Sequence, residues 1–294
     1  MPRVSVLLPV RDGGRSLLLA VWSILEQSLS NWELLVLDDG SSDDAVLRVE
    51  RIGDARVRVM HDSARMGLAA RLNRGIALAR GEMLARMDHD DLAFPSRLQR
   101  QLEFLEREPE VDLLGTRAVV FSGDGTPMGL FPFRQTHEAI CRRPWMGFYL
   151  PHPTWMGRAS WFRRHGYRMP ESRRAEDQEL LLRTYTNSRF ACLPEVLLGY
   201  RASAVSLSKV LAARASVGRS QLREHAYQRR LHFALLGAGV SVAKAGMDVA
   251  STIAGRKLYS ARSLEPIADP ALWREWMRLW HTGNAWLAGS GAAQ

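Results

Sequence analysis

Apolar runs of strand length alternate with helix-period segments along the first ninety or so residues. Arg3 to Leu8 is a run closed by Pro9 and reads as a buried strand. After the turn Val10-Arg11-Asp12-Gly13-Gly14, residues Leu17, Leu18, Val21, Ile24 and Leu25 recur at helical spacing and predict a helix over 15–28. Trp32 to Leu37 is a second strand, followed by a helix over 43–51 for which Ser42 and Asp43 are candidate caps. Val57 to Met60 is a third strand. Leu68, Leu72, Ile76 and Ala79 then share one helical face, and Met83 to Met87 is a fourth strand with a further helix from about Phe94. Strands alternating with helices imply a mostly parallel α/β sheet covered on both faces. Right-handed crossovers bring the carboxyl ends of such strands to one edge, where ligands of open sheets bind.

Three polar clusters fall at those strand ends: Pro9 to Asp12, Asp38-Asp39, and Asp88-His89-Asp90-Asp91. Neighbouring carboxylates raise one another's pKa, and a hard divalent cation such as Mg²⁺ or Mn²⁺ relieves that conflict. The competing reading of the acidic run is a solvated turn ahead of the next helix. Neither GxxxxGK[ST] nor GxGxxG occurs, which argues against a P-loop enzyme and a dehydrogenase-type dinucleotide fold.

Composition narrows the picture modestly. The chain has 294 residues, 46% hydrophobic, enough for one large α/β domain and an extension. Two cysteines, Cys141 and Cys192, give no disulfide framework, which fits a reducing cytoplasm. The N-terminal apolar run is too short for a signal peptide, and no eighteen apolar residues run uninterrupted, so no spanning helix is expected. The net charge of +9 is lopsided: residues 1–200 carry +1 and residues 201–294 carry +8.

Five segments, in order, resemble the family-2 glycosyltransferases. They are Val4-Ser5-Val6-Leu7-Leu8-Pro9-Val10 with Ser23 to Ser28, then Trp32 to Asp43, then Gly67 to Gly81 running into the acidic DxD-type cluster. Ala175-Glu176-Asp177-Gln178 to Arg183 is similar to the family's ED motif, and Leu193 to Arg201 to the segment closing its catalytic domain. The resemblance covers about residues 3–208 and implies a GT-A type, Rossmann-like fold. It divides into a nucleotide-sugar half (1–115) and an acceptor half (116–208), with 209–294 as a helical extension. It also implies a metal-dependent, inverting transfer from a nucleotide-diphosphate sugar, UDP-sugar favoured, to a glycan or lipid-linked acceptor in cell-surface polysaccharide synthesis. Pro9, Val10, Arg11 and Asp12 would line the base, Asp39 would accept a hydrogen bond from base or ribose, and Arg71 would approach the donor from the helix side. Asp88 would hold the ribose or the metal, Asp90 would ligate Mn²⁺ or Mg²⁺, and Asp177 would be the catalytic base, with Glu176 the alternative. Arg11 and Asp12 stand where relatives often have an aromatic residue and an asparagine, which leaves the base open, and His89 fills the variable position of the acidic motif.

His152 and Trp155, among other aromatics, and Arg201 are candidates for acceptor contact; the tryptophan and phenylalanines of this stretch read equally as core. In the tail, Trp273, Trp276 and Trp280 fall on one helical face beside Arg274 and Arg278. That face suits either a peripheral dock at the inner side of a membrane or packing on the catalytic domain. The arginines do not interleave with aromatics as in a single-strand groove, so no nucleic-acid partner is expected. Rival readings are a sugar nucleotidyltransferase, for which a lysine-bearing glycine loop is missing, and a sugar-nucleotide-binding or assembly protein without activity.

Overall fold

The computed structural model describes residues 1–62, 64–169, 175–255, 258 and 263–289. Its first half follows the alternation: β1 (Val4–Val10), α1 (Gly14–Leu25), β2 (Trp32–Asp38), α2 (Ala45–Arg51), β3 (Val57–Met60), α3 (Leu68–Leu78) and β4 (Met83–Arg86). β3, β2, β1 and β4 lie side by side, all parallel. The chain then adds β5 (Leu92–Ala93), α4 (Arg97–Arg107), β6 (Leu113–Phe121), β7 (Pro127–Leu130), α5 (His137–Ile140), β8 (Met156–Arg158), α6 (Ala159–His165), α7 (Glu176–Thr184) and β9 (Phe190–Arg201). These strands extend the sheet in the order β4-β8-β6-β9-β5, with β7 beside β6. The pairs β4–β8, β6–β8 and β5–β9 are antiparallel and β6–β9 is parallel, so this half of the sheet is mixed.

Local differences from the sequence expectations have local causes. Pro9 does not end β1: it still pairs with Leu37 of β2, whereas pairing with β4 stops at Leu7. A proline is tolerated where its ladder partner has run out. α1 stops at Leu25 because Gln27 turns inward; its Nε2 donates to Ser23 O (2.9 Å) and Phe94 O (2.8 Å), and its Oε1 accepts from Leu98 N (2.9 Å). That one amide joins α1 to the first turn of α4. α4 begins at Arg97 rather than Phe94 because Leu92–Ala93 is drawn off to pair with β9. Gly81 opens β4 where no side chain fits: a Cβ would lie 2.6 Å from the Ser5 backbone N.

The apolar stripes of the helices make two cores, one on each face of the sheet. One unites β1 and β2 residues with Leu17, Val21, Ile24, Val46, Leu98 and Leu102 from α1, α2 and α4. The other contains Leu72, Ile76, Trp161, Phe162, Leu180 and Leu181 from α3, α6 and α7. Three further helices follow among the described residues: α8 (Leu207–Tyr227), α9 (Leu231–Ile253) and α10 (Pro270–Gly289). They do not form one extension. α8 and α9 make a hairpin against the α7 side, whereas α10 returns to the first core, placing Trp276, Leu279 and Leu287 among its buried residues. The Trp276 side chain is fully buried, its Nε1 donates to Gly125 O at 2.8 Å, and its ring lies 4.6 Å from that of Phe121. Of the tryptophan face of the tail, Trp276 and Trp280 therefore pack on the first core, while Trp273 stays 43% exposed. α10 is part of residues 1–208 in everything but sequence position.

Candidate active site

The loops after β1, β2 and β4 meet at one sheet edge. Pro9 and Val10 are buried in β1, so only Arg11 and Asp12 reach solvent there. Asp12 adopts φ 51° and bridges to the next loop: its Oδ1 accepts from Ser42 N (2.7 Å) and Ser42 Oγ (2.9 Å), while Ser41 Oγ accepts from Asp12 N (3.0 Å). Ser42 thus braces the first loop rather than capping α2, whose N-cap position is Asp44. Asp43 also reaches across, accepting from Gly14 N at 2.7 Å.

Asp39 follows β2 and is nearly closed off. Its carboxylate accepts from Met66 N (2.8 Å), Gly67 N (3.1 Å) and Arg71 Nε (2.7 Å). Burial alone would raise its pKa, but Arg71 and the two amides together hold it below the ordinary value. Arg71 is 2% exposed and also donates to Asp62 and to the Ala64 carbonyl. Its guanidinium therefore ties Asp39 to Asp62 and Ala64.

β4 delivers the acidic run through a buried cation. Arg86, the last strand residue, holds Asp88 in a two-pronged fork, one prong Nη1 to Oδ2 at 2.8 Å. The Arg86 backbone is fixed in turn, since Arg97 from α4 donates to its carbonyl at 2.7 Å. Burial opposes the Arg86 charge, but Asp88, Tyr167, Asp91 and Glu176 around it raise its pKa. Asp91 turns inward, accepting from Arg201 N at 3.0 Å with its other oxygen unpartnered, and burial with the charges of Asp88 and Asp90 pushes its pKa well up. Asp90 keeps its carboxylate free of any other residue's hydrogen bond among the described residues; burial, then the Asp88 charge, raises it. His89 sits over the β1–α1 turn, 3.2 Å from where a Cβ on Gly13 would be.

α7 brings the second set of carboxylates. Ala175, directly before it, has φ 58°, a left-handed conformation costing an alanine roughly 1–3 kcal/mol. Gln178 pins the facing loop, accepting from Phe148 N (2.9 Å) and donating to Asp177 Oδ2 (3.3 Å). Asp177 is half-buried and its pKa is raised by burial. Glu176 is 8% exposed; burial and the adjacent Asp177 charge push its pKa up to about 7. Behind it, His152 Nδ1 is 3.9 Å from Glu176 Oε1 and His152 Nε2 is 2.7 Å from Tyr167 Oη. Burial lowers the His152 pKa well below its ordinary value, so the ring is neutral.

Arg86, Asp88, His152, Glu176, Asp177 and Tyr200 line one cavity of about 720 Å³, whose far wall is α8 through Val210, Ala213, Arg214 and Val217. Two expected acceptor residues take other roles. Trp155 is fully buried and donates to Leu150 O at 3.0 Å, so its ring is core and cannot stack on a sugar. Arg201 spends its donors beneath the acidic run, on Asp90 O (3.0 Å) and Gly123 O (3.2 Å), with its guanidinium 4.8 Å from the Phe121 ring. It shapes the Asp90 loop. Arg86 was not singled out in the sequence; an arginine inside an apolar strand run next to acids was the available signal.

No trio of His, Cys, Asp or Glu is placed to hold a metal among the described residues. The carboxylates that could hold a cation are Asp90 and, beside it, Asp88. One or two carboxylates suit Mg²⁺ or Mn²⁺, which complete their coordination with water and substrate phosphates, and do not suit a structural zinc.

The Glycosyl transferase family 2 profile matches residues 5–166. EpsE of Bacillus subtilis, which carries a provisional glycosyltransferase name, is 36% identical over 190 residues, covering 63% of this chain and 67% of EpsE. The E. coli protein WfgD, named a UDP-Glc:α-D-GlcNAc-diphosphoundecaprenol β-1,3-glucosyltransferase, is 30% identical over 144 residues, 49% of this chain and 57% of WfgD. The fold matches S. aureus TarS 1–349 in complex with UDP-GlcNAc with a TM-score of 0.62 at 16% identity, over 96% of this chain and 80% of that one. Profile, relatives and fold agree with a cavity that brings Asp88 from the end of β4 together with Glu176 and Asp177 of α7: the chain belongs to glycosyl transferase family 2 and is a glycosyltransferase.

Proposed function

We propose that the protein transfers a sugar, with inversion, from a nucleoside-diphosphate donor to an acceptor hydroxyl in cell-surface polysaccharide synthesis at the cytoplasmic side of the membrane. The observation that carries this reading is that Asp177 and Asp88 face the same cavity from opposite elements, with the buried Arg86 beside Asp88. Asp177 takes the proton of the acceptor hydroxyl as that oxygen attacks the anomeric carbon, and the bond to the nucleoside diphosphate breaks on the opposite side. A positioned base of this kind contributes roughly 10²–10⁴ in rate. Asp177 is the more exposed of the two adjacent carboxylates, and Glu176 beside it is drawn up to about 7, so it carries less negative charge at neutral pH than an ordinary glutamate.

Asp39, held by Arg71, is the acceptor atom set offered to the base or ribose. Asp90, with Asp88, would hold a divalent cation, which when bound supplies positive charge for the departing diphosphate. UDP is the favoured nucleotide, because a TarS structure matched by this fold contains UDP and the name of WfgD specifies UDP-Glc. A lipid-linked diphosphate acceptor is the class supported by the WfgD name.

Calorimetry with UDP, GDP, dTDP and CMP, with and without Mn²⁺, tests the donor site. Binding of UDP that requires Mn²⁺ is expected, and no binding by any nucleotide with metal present would overturn the reading. D177N should bind UDP like the parent and lose roughly 10²–10⁴ of its transfer rate; full activity in D177N would move the base elsewhere.

A further inference from the structure

The hairpin of α8 and α9 carries its polarity inverted. A soluble helix packed on one side turns charged residues outward. On α9 the outward stripe is instead Leu231 (64% exposed), Leu235 (72%), Val242 (73%), Met247 (61%) and Ile253 (83%). Gly239, Ala243, Gly246 and Ala250 fill the exposed positions between them, and no charged residue interrupts the stripe. The two charged residues of the helix face inward: Lys244 Nζ donates to Met146 O at 2.9 Å, and the buried Asp248 accepts from Arg214 Nε at 3.2 Å. α8 adds exposed Leu222 and, at its end, Tyr227.

The charge around this apolar stripe has one sign. Residues 202–255 hold two acids, Glu224 and Asp248, and both are buried against arginines. The charges left exposed on the hairpin are Lys209, which lines the cavity, and Arg219 and Arg229 outside it, all positive. An apolar face rimmed by cations is what an interfacial helix presents to anionic lipid. A second copy of the chain would bring the same positive rim against itself. Leu231–Ile253 is long and apolar enough to cross a bilayer by length and composition. Its inner face, however, is tied to α8 and the 144–146 turn through Asp248 and Lys244, so it is built to lie on a surface and not to span one.

We infer that the α8–α9 hairpin docks on an anionic lipid bilayer. Leu235, Val242 and Met247 enter the boundary between headgroups and acyl chains, and Arg219 and Arg229 meet lipid phosphates. The opposite side of α8 walls the catalytic cavity, so docking holds that cavity beside the bilayer. This last consequence, and only this one, rests on the transfer reading above, and it favours an acceptor presented from the membrane.

The test is co-sedimentation of the full chain with vesicles of phosphatidylcholine alone and of phosphatidylcholine mixed with phosphatidylglycerol. Association with the mixed vesicles is expected, and L235E/V242E, changed at exposed positions only, should lose roughly tenfold or more of it. Circular dichroism and UDP calorimetry on the same variant confirm that fold and donor site are intact. No association of the parent with phosphatidylglycerol vesicles, or equal association by the variant, overturns the inference. So does a parent dimer that the double substitution makes monomeric while neither binds vesicles, since a second copy then covers the face. Vesicle binding without UDP binding would sink the donor reading and leave the docking surface standing.

Discussion

Arg86 is the residue on which the electrostatics of the site turns. It lies under Asp88, close to Asp91 and Glu176, in a place too dry for these three carboxylates to ionise unaided. Breaking a buried pair by removing one partner costs about 3–5 kcal/mol, because the other charge is left uncompensated. Arg86→Met should therefore destabilise the chain by about that much in urea unfolding, and adding Asp88→Asn should restore part of it; an unchanged midpoint for Arg86→Met would refute the role. Glu176 gives a second residue-scale prediction. Its pKa is raised in the fold to about 7 from 4.5, so the folded state holds a proton that the unfolded chain has released. Its contribution to stability is full below pH 4.5 and is lost as pH rises through about 7. Asp90, Asp91 and Asp177, also raised, act in the same direction. Melting temperatures measured from pH 5 to 8 should fall less steeply in E176Q than in the parent, whereas parallel curves would remove Glu176 from that linkage.

At the scale of elements, α10 shows how far chain position can mislead. Its sequence pattern, three tryptophans on one face beside arginines, fits an interfacial helix and a packed one equally. What decides is a complementary surface: Phe94 and Phe121 face it, and Gly125, Gly199 and Gly283 leave room for its close approach, with a Cβ at Gly199 falling 2.1 Å from the Trp276 ring. Trp→Ala in a core costs about 3–5 kcal/mol, so Trp276→Ala should lower thermal stability sharply, and a chain ending before Pro270 should not yield a stable catalytic domain. If that truncated chain melts like the parent, α10 is an appendage after all. α7 makes the converse point. Its acids are placed by a left-handed Ala175 and by Gln178 gripping the Phe148 backbone, neither of which is visible in periodicity.

The charge of the whole molecule is uneven along its sequence, with +1 over residues 1–200 and +8 over residues 201–294. Exposed charges are screened within about 10 Å at 0.1 M salt, while buried and short-range contacts are screened much less. Raising salt should therefore weaken vesicle association strongly and UDP binding little; equal sensitivity would mean that one charged patch serves both. The hydrophobic periods by themselves determined the parallel half of the sheet, because strand and helix repeats depend on near neighbours, and they placed Asp39, Asp88 and Asp90 at strand ends. The ordered motifs identified the family, and the same resemblance singled out Asp177 as the candidate base. Pairing of β6, β8 and β9, the burial of Trp155, the use of Arg201 beneath the acidic loop and the return of α10 to the core were decided only in three dimensions. Each depends on which distant surface a side chain meets, and one-dimensional periodicity shows that a face is apolar without showing what covers it. The same limit hid the exposed stripe of α9: Lys244 and Asp248 interrupt its sequence, and only the fold turns them inward.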